Sequence, residues 1–199
     1  IVAVIAGWCL LGGASRIVKI TSSVVPVMGI LYILVALLSI VINIENVPAV
    51  FGQIFDEAFD FKAIFGGFAG SAMMYGIKRG LFSNESGMGS APLVAAAAQT
   101  KNPKRQALVS MTGTFIDTII ICTLTGLTLV VSGAWCGDLN GAAMTEQAFS
   151  SAFPMMAKYI LCLGLVLFAF TTIIGWNYYG ERCAEYLLGV KAIKPYRYL

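Results

Sequence analysis

The sequence contains no histidine, and charged residues make up only 12% of its 199 positions. The absence of histidine removes the most common general base of enzymes and the most common side-chain metal ligand. The shortage of charge accompanies a hydrophobic content of 58%, whereas soluble domains contain roughly half apolar and a quarter charged residues. The composition therefore argues against a water-soluble fold and for a protein that resides in a membrane.

The sequence also lacks a recognisable cysteine framework and a phosphate-binding loop. Its five cysteines are scattered and lie mostly in apolar runs, where a free thiol behaves as a small hydrophobic side chain. They form no disulfide or metal-binding pattern, and the G-x-x-x-x-G-K-[ST] motif of ATP-binding loops does not occur. We therefore expect no cofactor and no ATP-driven mechanism. The cysteines are Cys9, Cys122, Cys136, Cys162 and Cys183.

Apolar runs dominate the rest of the chain, at about residues 1–13, 22–42, 58–77, 106–132 and 154–179. A helix that crosses the hydrocarbon core needs about 20 apolar residues, so each of the last four runs is long enough. No basic residue precedes the first run, which we interpret as the end of a span and not as a signal peptide. The sequence predicts an all-α polytopic membrane bundle, with residues 1–199 as a single transmembrane domain. Because it starts without methionine inside an apolar run, we expect it to be a fragment of a longer protein.

The basic residues predict the orientation of these spans, because lysine and arginine are enriched in cytoplasmic loops. If the first run ends in the cytoplasm, eleven of the thirteen basic residues fall on the inner side and only Lys62 and Lys158 fall on the outer side. The outer segment 44–57 mixes apolar and acidic residues, which suits either a helix on the membrane surface or a solvated loop. The inner basic residues are Arg16, Lys19, Lys78, Arg79, Lys101, Lys104, Arg105, Arg182, Lys191, Lys194 and Arg197.

Glycines are concentrated in the run 58–77, where FGGFAGSAMMYG occupies positions 65–76. Each glycine costs about 1 kcal/mol relative to alanine inside a helix, so the helix is weakened around Gly66–Gly70. A broken span can offer backbone groups to a substrate or a cation. The alternative is close helix packing through small residues, and residues 66 and 70, like 76 and 80, have the required GxxxG spacing.

Polar side chains inside two other runs are further candidates for function. Thr171 and Thr172 are adjacent in the last run, where each hydroxyl can either bond back to a carbonyl one turn earlier or offer its oxygen to sodium. Asp117 lies in the run 106–132, roughly a third of the way across the bilayer, and a carboxylate at such a position is by default a functional hypothesis. It can equally be a structural acceptor for the neighbouring hydroxyls of residues 112, 114 and 118.

The loop between these spans reads RGLFSNESGMGSAP over residues 79–92, and FIDTIIICTLTG follows at 115–126. Ser83, Asn84 and Glu85 can cap a short helix that includes Pro92. These two blocks closely resemble the sodium:alanine symporter family, the alanine or glycine:cation symporters. GGFAG before them and FAFTTIIGW after them also fit, so the resemblance extends over the whole chain.

The resemblance implies a leucine-transporter-type fold with two inverted five-helix repeats, of which this chain would hold the end of helix four and helices five to eight. It implies symport of a small neutral amino acid, alanine or glycine, with sodium as the coupling ion, by alternating access at the plasma (inner) membrane. Such a protein is not an enzyme and binds no nucleic acid. The alternatives are proton coupling through Asp117, a channel or a membrane-embedded enzyme.

The resemblance also implies which residues bind. Hydroxyls on helix eight belong to the family's sodium site, and Thr171 and Thr172 match them. The substrate site would be built on the broken sixth helix. A gating role on the cytoplasmic side is a hypothesis for the block Phe82–Pro92. The implied substrate-binding residues are Phe65, Gly66, Gly67, Phe68 and Gly70.

Overall fold

A computed structural model describes residues 2–69, 71–85 and 87–198, and within these ranges the chain is helical and contains no strand. The prediction of an all-α fold is thereby confirmed for the described residues. The helices are α1 (Val2–Leu11), α2 (Gly13–Ile42), α3 (Val47–Phe59), α4 (Phe61–Ala69), α5 (Ser71–Ser83), α6 (Ala91–Ala96), α7 (Pro103–Thr114), α8 (Thr123–Val131), α9 (Ala142–Ala152), α10 (Ala157–Leu188) and α11 (Ile193–Tyr198). A π-helical segment, Phe115–Cys122, joins α7 to α8, and short 3-10 turns occupy Ile44–Asn46, Ala134–Cys136 and Val190–Ala192.

Three helical stretches among the described residues are long and apolar enough to cross a membrane: Ser15–Ile42, Pro103–Val131 and Ala157–Leu188. Each contains 28 to 32 residues and is therefore longer than the roughly 30 Å hydrocarbon core at about 1.5 Å per residue. They overlap the apolar runs 22–42, 106–132 and 154–179. Large apolar side chains such as Leu34 and Leu165 are exposed along them, as expected of surfaces that do not face water.

The glycine-rich run 58–77 is helical on both sides of residue 70: α4 is described as far as Ala69 and α5 from Ser71 onward. Residue 70 lies outside the described residues. The outer segment 44–57 is also helical: a 3-10 turn leads into α3, which has a proline in its first turn. Of the two interpretations of this segment, the structure favours the helix over the loop.

The chain divides into two compact units, Ile1–Tyr32 with Lys158–Leu199, and Ile33–Ala157. The first unit has a hydrophobic core to which α1, α2 and α10 contribute. Phe170 and Ile174 stand four residues apart on one face of α10, and both are buried together with side chains of the two other helices. Spacing of this kind places residues on one helical face. The buried residues of this core are Ala6, Cys9, Ile17, Phe170 and Ile174.

The same face of α10 continues to Glu181, which is only 1% exposed. Arg197 of α11 donates to this carboxylate twice, from Nε at 2.7 Å and from Nη2 at 2.8 Å, and Arg182 donates at 2.7 Å. These charge-assisted hydrogen bonds raise the pKa of the Arg197 guanidinium above its ordinary value. Because a buried carboxylate needs such partners, the ion pair fixes α11 against α10.

Two glycines make room for this attachment of α11. Gly13 has a φ of +72° and a Cβ there would lie 2.9 Å from Nη1 of Arg197. A Cβ on Gly180 would overlap the hydroxyl of Tyr196. Side chains at either position would therefore displace the residues of α11 that pack on this surface.

In the second unit, α3 and α9 both contact α8. Asn46 Nδ2 donates to the Val131 carbonyl at 3.5 Å, near a shallow groove of about 460 Å³ between α3 and the end of α8. Val131, Phe149 and Thr128 are buried, and the Thr128 hydroxyl donates to the Leu124 carbonyl at 2.7 Å.

Helix α7 begins at a cap, where the Asn102 side chain accepts from the Lys104 N–H at 3.0 Å.

The ion pair of α11 gives a stability prediction. Replacing Arg197 with alanine leaves Glu181 buried with Arg182 as its remaining partner, so the free energy of unfolding should fall by about 3 kcal/mol. The measurement is reversible unfolding of the intact protein in mixed detergent micelles. Lys194→Ala is the matched control, because Lys194 lies on the same helix and is exposed. Equal losses for the two variants would contradict the assignment.

Candidate transport site

Thr171 and Thr172 lie well inside α10, and both hydroxyls bond back to the helix. Thr171 Oγ1 donates to the Leu167 and Phe168 carbonyls at 3.1 and 3.0 Å, and Thr172 Oγ1 donates to the Phe168 carbonyl at 2.8 Å. A hydroxyl has one proton and two acceptor lone pairs. Each hydroxyl that donates its proton to a carbonyl therefore keeps lone pairs that can bind a cation. A sodium-binding role for the two threonines stays a prediction.

The two threonines differ in exposure. Thr171 is half-buried and Thr172 is exposed. At 3.6 residues per turn, Thr172 stands about 200° around the helix from Phe170, which faces the core of the unit. The Thr172 hydroxyl is consequently accessible on the side of α10 that this unit leaves uncovered.

Among the predicted substrate-binding residues, Phe65, Gly66 and Gly67 lie within α4. Phe65 is 72% exposed. Phe68 also belongs to α4, and Gly70 lies outside the described residues. These positions belong to the unit Ile33–Ala157, whereas the threonine pair belongs to the other unit.

The surroundings of the glycines bear on the alternative of close helix packing. Within the described chain, a Cβ built on Gly66 or Gly67 meets no heavy atom within 4 Å, and the same holds for Gly76 and Gly80. No helix among the described residues therefore packs tightly against these positions. The binding role of these glycines stays a prediction.

Asp117 lies in the π-helical segment Phe115–Cys122, within the long apolar stretch Pro103–Val131. Ser83 Oγ donates to its Oδ2 at 2.5 Å. The neighbouring Thr118 Oγ1 donates to Asn84 Oδ1 at 3.0 Å. The prediction that neighbouring threonines serve Asp117 is therefore wrong for Thr118. Thr112 likewise bonds to the Leu108 carbonyl at 2.9 Å instead.

The loop that supplies these partners has an unusual backbone. Glu85 has a φ of +51°, and Gly87 and Gly89 have φ values of +76° and +78°. For a residue with a side chain this left-handed conformation costs about 1–2 kcal/mol, and such strain persists where surrounding contacts impose it. Residue 86 lies outside the described residues.

The loop also corrects the capping prediction. Ser83 is the last residue of α5, and the residue that precedes α6 is Ser90. Ser90 is buried, and its hydroxyl has no hydrogen-bond partner among the described residues. The expected cap at residues 83–85 is therefore wrong, because these residues end one helix instead of starting the next.

The described residues contain no group of three or more histidine, cysteine or acidic side chains that could hold a metal ion. The oxygen atoms on the long apolar helices belong to hydroxyls, amides, backbone carbonyls and carboxylates such as that of Asp117. The long apolar helices define the class: a helical integral membrane protein with polar groups inside its spans.

Comparison with known proteins identifies the family. The profile described as the sodium:alanine symporter family matches residues 1–199, and the chain belongs to that family. The sodium/alanine symporter AgcS of Methanococcus maripaludis is 50% identical over 201 residues, which cover 99% of this chain and 44% of that protein.

Two further relatives carry different printed names. The sodium/proton-dependent alanine carrier protein of Bacillus sp. strain PS3 is 36% identical over 92% of this chain and 45% of that protein. The probable sodium/glutamine symporter GlnT of Bacillus subtilis is 42% identical over 88% of this chain and 37% of that protein. The chain thus spans less than half the length of these curated relatives.

Sequence reasoning missed the pairing of Ser83 and Asn84 with Asp117 and Thr118. Both pairs of neighbouring polar residues lie in the most family-specific blocks of the sequence. Each residue of the first pair is 34 positions from its hydrogen-bond partner in the second pair, so no local pattern indicates the contact. It also missed the partner of Glu181, since nothing in the spacing distinguishes Arg197 from the other basic residues near the end of the chain.

The open surface of α4 gives a prediction about its glycines. Gly66→Ala and Gly67→Ala should leave the protein folded, because no described atom obstructs the new methyl group and alanine is favoured in helices by about 1 kcal/mol. If the surface lines the substrate site, the KM for alanine should nevertheless rise. The measurement is uptake kinetics together with thermal stability. Gly52→Ala in α3 is the control, as a Cβ there also meets open space; unchanged KM values in both α4 variants would contradict a role in binding.

Proposed function

We propose that this chain forms part of a sodium-coupled symporter that carries a small neutral amino acid, alanine or glycine, into the cell. The observation that carries the proposal is the match of the sodium:alanine symporter family over the whole of residues 1–199. Relatives named for sodium and alanine support it. In this proposal the protein lies in the plasma (inner) membrane, with the basic residues of its loops on the cytoplasmic side.

Sodium binds at the threonine pair in this proposal. Thr171 and Thr172 direct their protons to carbonyls of their own helix, so the lone pairs of their oxygens can act as acceptors. Sodium is held by oxygen ligands in transporters of this kind, and unwound backbone carbonyls supply the remaining ones. Sodium is thus a transported ion and not a resident cofactor.

The amino acid binds at the glycine-rich surface. Backbone groups of the glycine-rich stretch around Gly66 and Gly67 would bind the charged ends of the zwitterion, as the backbone of a broken helix does in transporters of the fold that the resemblance implies. Gly66 and Gly67 leave room for the substrate, and Phe65 supplies an apolar wall. A pocket with these walls suits a small side chain such as that of alanine.

Alternating access then couples the two ligands. Sodium drives accumulation only if it binds better to the substrate-loaded arrangement, since a ligand shifts an equilibrium by its differential affinity alone. Proton coupling is the second candidate. It is favoured by the position of Asp117 in an apolar span and by the printed name of the carrier from Bacillus sp. strain PS3.

Transport by the intact protein in proteoliposomes tests the proposal. An inward sodium gradient should drive labelled alanine above its equilibrium level, and unlabelled glycine should compete. A proton gradient in sodium-free buffer is the matched control for the second candidate. An uptake rate that does not depend on the sodium gradient, or the absence of alanine and glycine uptake, would refute the symporter proposal.

The threonine pair gives a separate prediction. Thr171→Ala and Thr172→Ala each remove one oxygen ligand while leaving the helix intact, because their hydroxyls bond only to their own helix. The apparent affinity for sodium should fall about tenfold, as expected for a hydrogen-bond-strength contact to a charged group. Thr171→Ser and Thr172→Ser keep the oxygen and should stay close to wild type. Sodium titration of alanine uptake measures this, and an unchanged sodium dependence in both alanine variants refutes the assignment.

A further inference from the structure

Two adjacent residues at the end of α5 are hydrogen-bonded to two adjacent residues of the π-helical segment. Ser83 donates to Asp117 at 2.5 Å, and Thr118 donates to Asn84 at 3.0 Å. The two bonds run in opposite directions between the same two chain segments. We call Ser83, Asn84, Asp117 and Thr118 the polar clasp.

We propose that the polar clasp is a gate on the predicted cytoplasmic side of the transport path, with Asp117 as the residue that holds the loop after α5 in its closed position. The inference rests on the alternating-access transport proposed above and adds a named gate to it. It assigns a role to the loop block Phe82–Pro92 through contacts within the described chain.

Asp117 gives the clasp its strength. A hydrogen bond to a carboxylate is about twice as strong as one between neutral groups. Among the described residues no ion pair is formed with Asp117, and the ion pairs present involve Glu181 and Glu185. When the Ser83 hydroxyl leaves, the carboxylate requires another polar partner in an apolar span. Water is the partner that an opening path supplies, so opening of the clasp is linked to hydration of the path.

The π-helical segment provides a way for the clasp to open. A π-helical turn is wider than an α-helical turn, is rare, and occurs frequently at functional sites. Conversion of the segment to α-helix would shift the side chains around the helix axis by about 100° for each residue removed from the π-helical turn. Such a rotation would carry Asp117 and Thr118 away from their partners. In the proposal, this change of turn supplies the second arrangement that a gate requires.

Little apolar burial opposes opening. Ser83 and Thr118 are exposed, and Asn84 and Asp117 are only half-buried. The following loop is held by turns with left-handed residues at Glu85, Gly87 and Gly89 and not by packing in the core. Segments with polar contacts and few buried apolar side chains open at low free energy.

The first test bridges the clasp without altering Asp117. Asn84→Cys and Thr118→Cys are introduced together into the intact protein after its native cysteines are replaced by alanine. Cd²⁺ should bridge the two thiolates and abolish most of the alanine uptake, and a chelator should restore it. Each single cysteine variant is the control and should tolerate Cd²⁺. Full uptake by the bridged double variant would overturn the gate.

The second test weakens the clasp and does not depend on transport. Cys122, an exposed native cysteine of the π-helical segment, reports access from the inside through its reaction with a membrane-impermeant thiol reagent. Ser83→Ala should speed this reaction about tenfold, because the hydrogen bond to the Asp117 carboxylate is lost. Ser83→Thr keeps the hydroxyl and should restore the wild-type rate.

Ser110→Ala is the matched control for the second test, since Ser110 is an exposed hydroxyl residue of α7 in the same long stretch. Its labelling rate should equal that of the wild type. Identical rates for Ser83→Ala and the wild type would overturn the gate even if alanine uptake is sodium-driven. Conversely, the wild-type protein could show no sodium-driven uptake while the Ser83→Ala variant is labelled faster than the wild type. That combination would refute the proposed function and still support the clasp as a gate.

Discussion

Inside a bilayer no water is available to hydrogen-bond an exposed N–H or C=O group, and every element that enters it must satisfy its own backbone. The described part of this chain meets that constraint with helices. Its hydroxyl residues follow the same rule: Ser39, Thr128 and Thr171 donate to carbonyls one turn earlier. Polar groups that bond within one helix can enter the apolar region without a partner from another helix.

Carboxylates cannot be satisfied in this way, and two of those on the long apolar helices are bonded differently. Glu181 is buried and bonded to two arginines, one of them on another helix. Asp117 is half-buried and bonded to a serine at the end of a loop-connected helix. The first arrangement is costly to break because a full charge would be left buried. In the second arrangement, a water hydroxyl can replace the Ser83 hydroxyl as the hydrogen-bond partner of Asp117. Such a contact therefore suits the moving part that we propose.

The family resemblance and the structure contribute different information about the site. The resemblance supplies the expectation of sodium and a small amino acid, and the structure gives the surroundings of the expected residues within the described chain. There, Thr172 and Phe65 are exposed, and a Cβ on Gly66 or Gly67 of α4 meets no heavy atom within 4 Å. Their roles in binding stay predictions.

The sequence by itself determined the membrane class, the helical fold and the family, because apolar runs and family-specific blocks are local properties that need no knowledge of distant contacts. It also located Thr171, Thr172 and Asp117 as polar groups in apolar surroundings. Only the tertiary structure decided that Ser83 and Asn84 meet Asp117 and Thr118, and that Arg197 meets Glu181. The physical reason is that hydrogen bonds between distant segments depend on where each helix starts, ends and changes its turn, as in the π-helical segment Phe115–Cys122, and periodicity does not encode those positions.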